Sequence, residues 1–298
     1  MVIKIGRNTL KGPVCVASGT FGYGSEYEEL IDLSQIGALF SKSVTVEERP
    51  GNDIPRLIET PSGLVNSIGL ANVGIDRYID EKLPLFENYP CPVVANIAGG
   101  TTNEYEQLTE RLAEKKAIWG FEVNLSCPNV VHGLAFGTEP EAVELLVKRL
   151  RKRTSKPLII KLTPNVTDIA AIALAAEAGG ADAVSCINTL IGMVIDTKTR
   201  RPVLPAGTGG LSGPAIRPVG VAAVYRVSRR VRIPVFGIGG IMCSDDAVQY
   251  LLAGASAVQI GTGNFVDPSL VAEVSNGIDA YAKDSGFSTI EDFHCFFE

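Results

Sequence analysis

The segment Asn124-Leu125-Ser126-Cys127-Pro128-Asn129 puts two amides, a hydroxyl and a thiol directly after the strand-like run Gly120-Phe121-Glu122-Val123. A tight loop at the C-terminal end of a parallel strand is where α/β proteins place their chemistry. A thiol there can act as nucleophile, proton acceptor or metal ligand. Each Asn both donates and accepts hydrogen bonds. Read alone, Cys127 fits better a small apolar side chain in a packed turn, and the neighbouring Asn pair brings the two readings nearly level. His132 follows just beyond this loop, whereas His294 sits in an acidic, aromatic tail and reads as structural.

Other apolar runs also end in polar residues. They stop at Ser18-Gly19, Lys42-Ser43, Asn96, Asn124, Lys161, Asn188-Thr189, Gly239-Gly240 and Gly261-Thr262. A lysine at a buried strand end costs several kcal/mol unless an anion or acceptor meets it. Lys42 and Lys161 therefore imply either ligand contacts or structural ion pairs. Three glycine-rich stretches close the pattern: Gly209–Pro214 leading into a helix, Gly237-Ile238-Gly239-Gly240, and Gly261-Thr262-Gly263. Glycines let backbone N–H groups approach a phosphate, and a helix N-terminus adds its dipole. The alternative is tight turns without a ligand.

These residues need elements to hold them. Short Val-, Ile- and Ala-rich runs at 13–17, 38–42, 92–96, 120–124, 157–162, 183–188, 234–238 and 257–260 have little alternation and read as buried parallel strands. Amphipathic stretches at 104–116, 140–153, 166–178, 216–230 and 245–253 read as helices between them. Thr102, Thr167 and Ser244 suit helix starts, and Gly179-Gly180 and Gly254 suit stops. Eight such units in 298 residues predict a (β/α)₈ barrel as a single domain, with a doubly wound sheet as the runner-up. Three connections are long, 43–73, 125–138 and 189–212, and belong to the C-terminal face of the barrel. Loops of that length are functional or carry small substructures. Within the third, 193–198 and 201–204 can pair as a hairpin.

Hydrophobic residues make up 46% and charged residues 20%, the balance of a globular protein with a sizeable core. A net charge of −6 argues against general nucleic-acid binding, so the basic cluster 148–156 reads as a solvated helix end. The N-terminus alternates like a strand rather than a signal peptide, and no apolar run reaches the ~18 residues of a membrane span. The six cysteines, Cys15, Cys91, Cys127, Cys186, Cys243 and Cys295, are scattered without a CxxC. That spacing speaks against a zinc site or an iron–sulfur cluster on this chain and for reduced thiols in the cytoplasm.

Taken in order, several marks together resemble the dihydroorotate dehydrogenases, the flavin enzymes of pyrimidine synthesis. They are Ala17-Ser18-Gly19, Lys42-Ser43, Asn66-Ser67-Ile68-Gly69-Leu70, Ala95–Gly99, Asn124–Asn129, Ile187-Asn188-Thr189, Gly209–Pro214, Gly237–Gly240 and Gly261-Thr262-Gly263. The resemblance covers nearly the whole chain. It implies FMN across the barrel mouth, its phosphate on Gly239, Gly240, Gly261 and Thr262 with Gly213 adjacent. Lys161 would face the polar edge of the isoalloxazine. Ser18, Lys42, Ser43, Asn96, Asn124 and Ile187 would complete the flavin shell. Dihydroorotate or orotate would be held by Lys42, Asn66, Ser67, Ile68, Gly69, Leu70, Asn124, Asn129, Asn188 and Thr189. Cys127 would be the base for the C5 proton, a place where some branches carry Ser.

The membrane-bound, quinone-linked branch carries an N-terminal extension that this sequence does not show. The stretches Phe21–Gly24, Thr60–Gly63, Leu190–Met193 and Asp196–Arg200 resemble the NAD-linked branch. In that branch a homodimer of catalytic chains joins a partner carrying FAD and a [2Fe–2S] cluster, giving a heterotetramer. A fumarate-reducing homodimer and a dihydropyrimidine dehydrogenase catalytic subunit share much of this pattern. Outside the family, a phosphosugar isomerase or lyase barrel, or a flavin-binding protein without turnover, would also use glycine loops and strand-end lysines.

Overall fold

The computed structural model describes residues 1–125 and 137–295. Eight parallel strands close on themselves: β1 (Val14–Val16), β2 (Leu39–Phe40), β3 (Val93–Ile97), β4 (Gly120–Asn124), β5 (Leu158–Leu162), β6 (Ala183–Cys186), β7 (Val235–Ile238) and β8 (Ala257–Ile260). They neighbour one another in chain order, and β8 pairs with β1. Every strand residue is buried except Asn124, which is half-buried. Strands packed inside by side chains and outside by helices have no solvated face, so their sequences are continuously apolar. This is the (β/α)₈ barrel the sequence predicts.

Alternation along these strands sorts the core into two parts. Outward residues such as Val16, Leu39, Ala95, Val123, Ile160, Val184 and Val258 join the helices in the larger cluster. Inward residues Cys15, Phe40, Val94, Ile159, Ala183, Phe236 and Ala257 form a second apolar cluster. An N-terminal hairpin, Ile3–Ile5 with Asn8–Leu10, packs Ile3, Ile5 and Leu10 onto it. The interior is thus filled with side chains at the end away from the long loops.

The helices Thr102–Ala113, Pro140–Arg151, Ile169–Gly179, Arg217–Ser228 and Ser244–Leu252 lie where the amphipathic stretches are expected. Two caps sit one residue from expectation. Thr101, not Thr102, accepts from the Glu104 amide, and Asp168, not Thr167, accepts from Ala170 and Ala171. Ser244 lies inside its helix, where the Asp246 carboxylate accepts from the Met242 amide instead. Gly180 and Gly254 both adopt the left-handed conformation that ends a helix. No helix follows β1, where turns and a short 3-10 segment, Leu33–Gln35, stand in; the long helix Leu270–Ser285 packs on β1 instead.

The basic cluster 148–156 is more than a solvated end. Arg149 and Arg153 pair with Glu106 on the preceding helix, and Arg151 pairs with Asp182. Two long connections form one substructure: Leu57–Thr60 and Gly63–Asn66, after β2, pair antiparallel with Gly209–Ser212 and Leu190–Gly192, after β6. This four-stranded sheet roofs the C-terminal face. The expected hairpin appears beside it as Ile195–Asp196 against Arg201–Pro202. No helix among the described residues is long and apolar enough to cross a membrane.

Candidate active site

The polar strand ends converge because parallel register places them side by side. Asn96 faces Glu122, Asn124 faces Lys161, and Lys161 faces Ser185 across their ladders. Asn96 is fully buried, with its Oδ1 accepting from Ser43 Oγ at 2.6 Å and its Nδ2 donating to Glu122 Oε2 at 2.6 Å. Lys161 is 6% exposed, and its Nζ lies 3.9 Å from Glu122 Oε2. Asn188, just past β6, donates from Nδ2 to Asn124 Oδ1 at 3.2 Å, and its own Oδ1 accepts from the Thr189 amide. Ile187 is buried, with its amide on the Ile238 carbonyl of β7.

Lys42 follows β2 and is half-buried. Burial, and then the nearby Arg56 guanidinium, hold its ammonium below the ordinary lysine range, while Glu26 opposes them. Two cations outnumber the one carboxylate that acts on Lys42, which favours an acidic ligand. Ser18, after β1, is half-buried at the same rim.

Asn66 ties the roof's two connections to each other. Its Nδ2 donates to the Gly210 carbonyl at 3.2 Å, across 144 residues of sequence. The rest of that run turns elsewhere. Asn52 donates to both the hydroxyl and the carbonyl of Ser67 and to the carbonyl of Ile68, and it crowds Gly69. The Leu70 carbonyl accepts from Asn72. Described contacts therefore tie Ser67, Ile68, Gly69 and Leu70 to their own loop rather than to the strand ends.

The glycine stretches form one cradle. Thr262 Oγ1 donates to Ser212 Oγ at 2.8 Å, and Gly261 opens beside Ala17. Gly239 follows β7, and its carbonyl accepts from the Tyr250 hydroxyl at 2.7 Å. At Gly240 a Cβ would stand 2.7 Å from the Gly213 carbonyl oxygen and 3.0 Å from the Arg217 nitrogen; at Gly213 it would stand 2.7 Å from Gly63 Cα. Both have positive φ, +67° and +93°. Only glycine allows three backbones to approach this closely at the start of the helix Arg217–Ser228.

The dihydroorotate dehydrogenase family model matches residues 1–281. Proteins named dihydroorotate dehydrogenase B (NAD(+)), catalytic subunit, are close relatives. The one from Geotalea daltonii is 49% identical over 97% of this chain and 95% of its own. That from Pelobacter propionicus is 48% identical over 98% and 96%, and that from Caldicellulosiruptor saccharolyticus 48% over 97% and 96%. The chain belongs to the dihydroorotate dehydrogenases. It is an oxidoreductase of the NAD-linked kind, and its family binds FMN.

The residues present fit that cofactor. Among the described residues Lys161 Nζ makes no hydrogen bond, so its donors remain for a ligand at the mouth. The cradle brings glycine backbone together at a helix start, a local chemistry that suits a phosphate. Cys127 and Asn129, with His132, lie outside the described residues. The buried thiols Cys15, Cys91 and Cys186 are all shifted upward by desolvation, Cys91 to about 11, which makes them poor nucleophiles.

Three residues of this dehydrogenase escape a reading of strand ends. Glu122 lies two residues before Asn124 on the same inward face, so alternation alone could find it. Asn165 bridges Thr163, Thr189 and Ile191 under the roof. Arg56 comes from a loop that carries no periodic signal.

Proposed function

We propose that the chain oxidises (S)-dihydroorotate to orotate as one FMN-binding domain, with Cys127 as the base. The observation that carries this reading is the single mouth that gathers Lys42, Ser43, Asn96, Asn124, Lys161 and Asn188 beside the glycine cradle. Lys161 and Asn96 would present donors to the flavin's polar edge, with Ser18, Ser43, Asn124 and Ile187 around it. Gly239, Gly240, Gly261, Thr262 and Gly213 would hold its phosphate.

Bound FMN supplies a two-electron acceptor for the hydride from C6. Lys42, with Arg56 behind it, offsets the substrate carboxylate. Asn66, Asn124, Asn129 and Asn188, with Thr189, suit the alternating donors and acceptors of a planar imide. Ser67, Ile68, Gly69 and Leu70 would complete the contacts to the pyrimidine from the same loop. Cys127 takes the proton from C5, so that loss of proton and hydride leaves the C5–C6 double bond. A thiol with ordinary pKa near ~8.5 needs only a modest downward shift to do this at neutral pH. A partner subunit bearing FAD and a [2Fe–2S] cluster, in a heterotetramer built on a catalytic homodimer, would carry the electrons on towards NAD. The name of the relatives, a catalytic subunit linked to NAD(+), supports that arrangement.

An anaerobic spectrum tests the core of this. The purified chain should release FMN on denaturation, and dihydroorotate should bleach its visible flavin bands. Cys127→Ala should keep FMN and slow bleaching by roughly 10²–10⁴-fold. A colourless chain, FAD in place of FMN, or an alanine variant that bleaches normally at pH 7 would overturn it.

A further inference from the structure

Glu122 is a fully buried carboxylate at the centre of the barrel. Its Oε1 accepts from Ser185 Oγ at 2.8 Å and from Gln259 Nε2 at 3.1 Å. Its Oε2 accepts from Asn96 Nδ2 at 2.6 Å and stands 3.9 Å from Lys161 Nζ. Strands β3, β5, β6 and β8 thus meet on one side chain of β4. Every group that faces it can donate, and an ionised carboxylate is the side chain that only accepts.

A purely structural role explains this layer poorly. Two residues below, the same strands fill the interior with Val94, Ile159, Ala183 and Ala257. Apolar filling is as stabilising as buried ion pairs, or more so. The switch to Asn96, Glu122, Lys161, Ser185 and Gln259 comes at the layer that meets the mouth. Its geometry also has a direction. The Asn96 amide is fixed at both ends, by Ser43 above and Glu122 below, so it cannot flip. Lys161 is held by charge at 3.9 Å without a hydrogen bond to Glu122, which leaves its N–H donors for the mouth.

We infer that Glu122 is a positioning residue for the cofactor site, holding Asn96 and Lys161 in the geometry that receives the flavin. The inference rests on the reading of those two residues as FMN ligands. It routes the effect of Glu122 through them, not through the fold. In Glu122→Gln, one amide NH₂ must face donors whichever way it turns, and Lys161 loses its counter-charge.

FMN binding to the apoprotein, followed by quenching of flavin fluorescence, tests this as a double-mutant cycle. Glu122→Gln should weaken FMN binding by about tenfold or more in the otherwise native chain. In Lys161→Met and Asn96→Ala backgrounds the same substitution should cost under about threefold, because the residues it acts through are gone. Ser185→Ala, which removes one donor to Glu122 and no side-chain hydrogen bond to a proposed ligand, should follow the same pattern more weakly. It decides the matter if Glu122→Gln fails to fold. Undiminished loss in both backgrounds would make Glu122 merely structural, and no loss in the native background would overturn the inference outright. A native chain that binds no FMN would instead overturn the cofactor reading beneath it.

Discussion

Lys42 is held below the ordinary lysine range by burial and by Arg56. The sign of its pH effect follows. In the free site the charged form is disfavoured, so the ammonium is lost at lower pH than in an ordinary lysine. A ligand carboxylate favours the charged form and raises its pKa again. Orotate binding should therefore be strongest below the depressed pKa and weaken as pH rises through it, starting below the usual ~10.4. Lys42→Gln should weaken orotate by about tenfold or more and abolish that alkaline fall. Spectral titration of the flavin with orotate across pH checks it, and an unchanged fall in the glutamine variant would sink it. Lys42 and Lys161 were legible because a lysine ending an apolar run is conspicuous. Glu122 was not, because the run Gly120–Asn124 reads as one more buried strand, and its only mark is a step of two from Asn124. Arg56 was illegible: its place beside Lys42 is decided by the tertiary packing of a loop.

All eight barrel strands and five helices could be read from the chain, because burial on both faces imprints continuous apolar runs and one-faced burial imprints the helical period. The roof sheet could not. Its strands come from two connections joined across 144 residues, and glycine-rich Gly209–Ser212 has no alternation to set a register. The cradle shows what such elements contribute. An alanine at Gly240 would place its Cβ 2.7 Å from the Gly213 carbonyl oxygen at a φ of +67°. Gly240→Ala should therefore weaken FMN binding by about tenfold or more while the barrel stays folded by circular dichroism. Gly12, whose added Cβ would meet nothing within 4 Å, serves as the control and should change neither. Full FMN retention in Gly240→Ala would show that the phosphate lies elsewhere.

At the scale of the whole molecule the question is where the electrons leave. A hydride passes between flavin and nicotinamide only when the reacting atoms lie about 3–3.5 Å apart. On the proposed reading the mouth holds a flavin with a planar pyrimidine stacked on it, so a nicotinamide would have to displace the substrate to meet the same flavin face. Electrons relayed one at a time across a protein interface need no such contact. The stretches 21–24, 60–63, 190–193 and 196–200 pointed to the NAD-linked branch from the sequence alone, and the relatives carry the same description. What no stretch of the chain could disclose is the interface itself, since it depends on a second surface. The isolated chain should therefore reduce its own FMN with dihydroorotate but turn over NAD poorly, and an iron–sulfur flavoprotein partner should restore rapid NAD reduction. Steady-state assays with NAD, run with and without that partner, decide the point. Rapid NAD reduction by the chain alone would remove the need for a relay. Rapid fumarate reduction by the chain alone would move the protein to the stand-alone branch of its family.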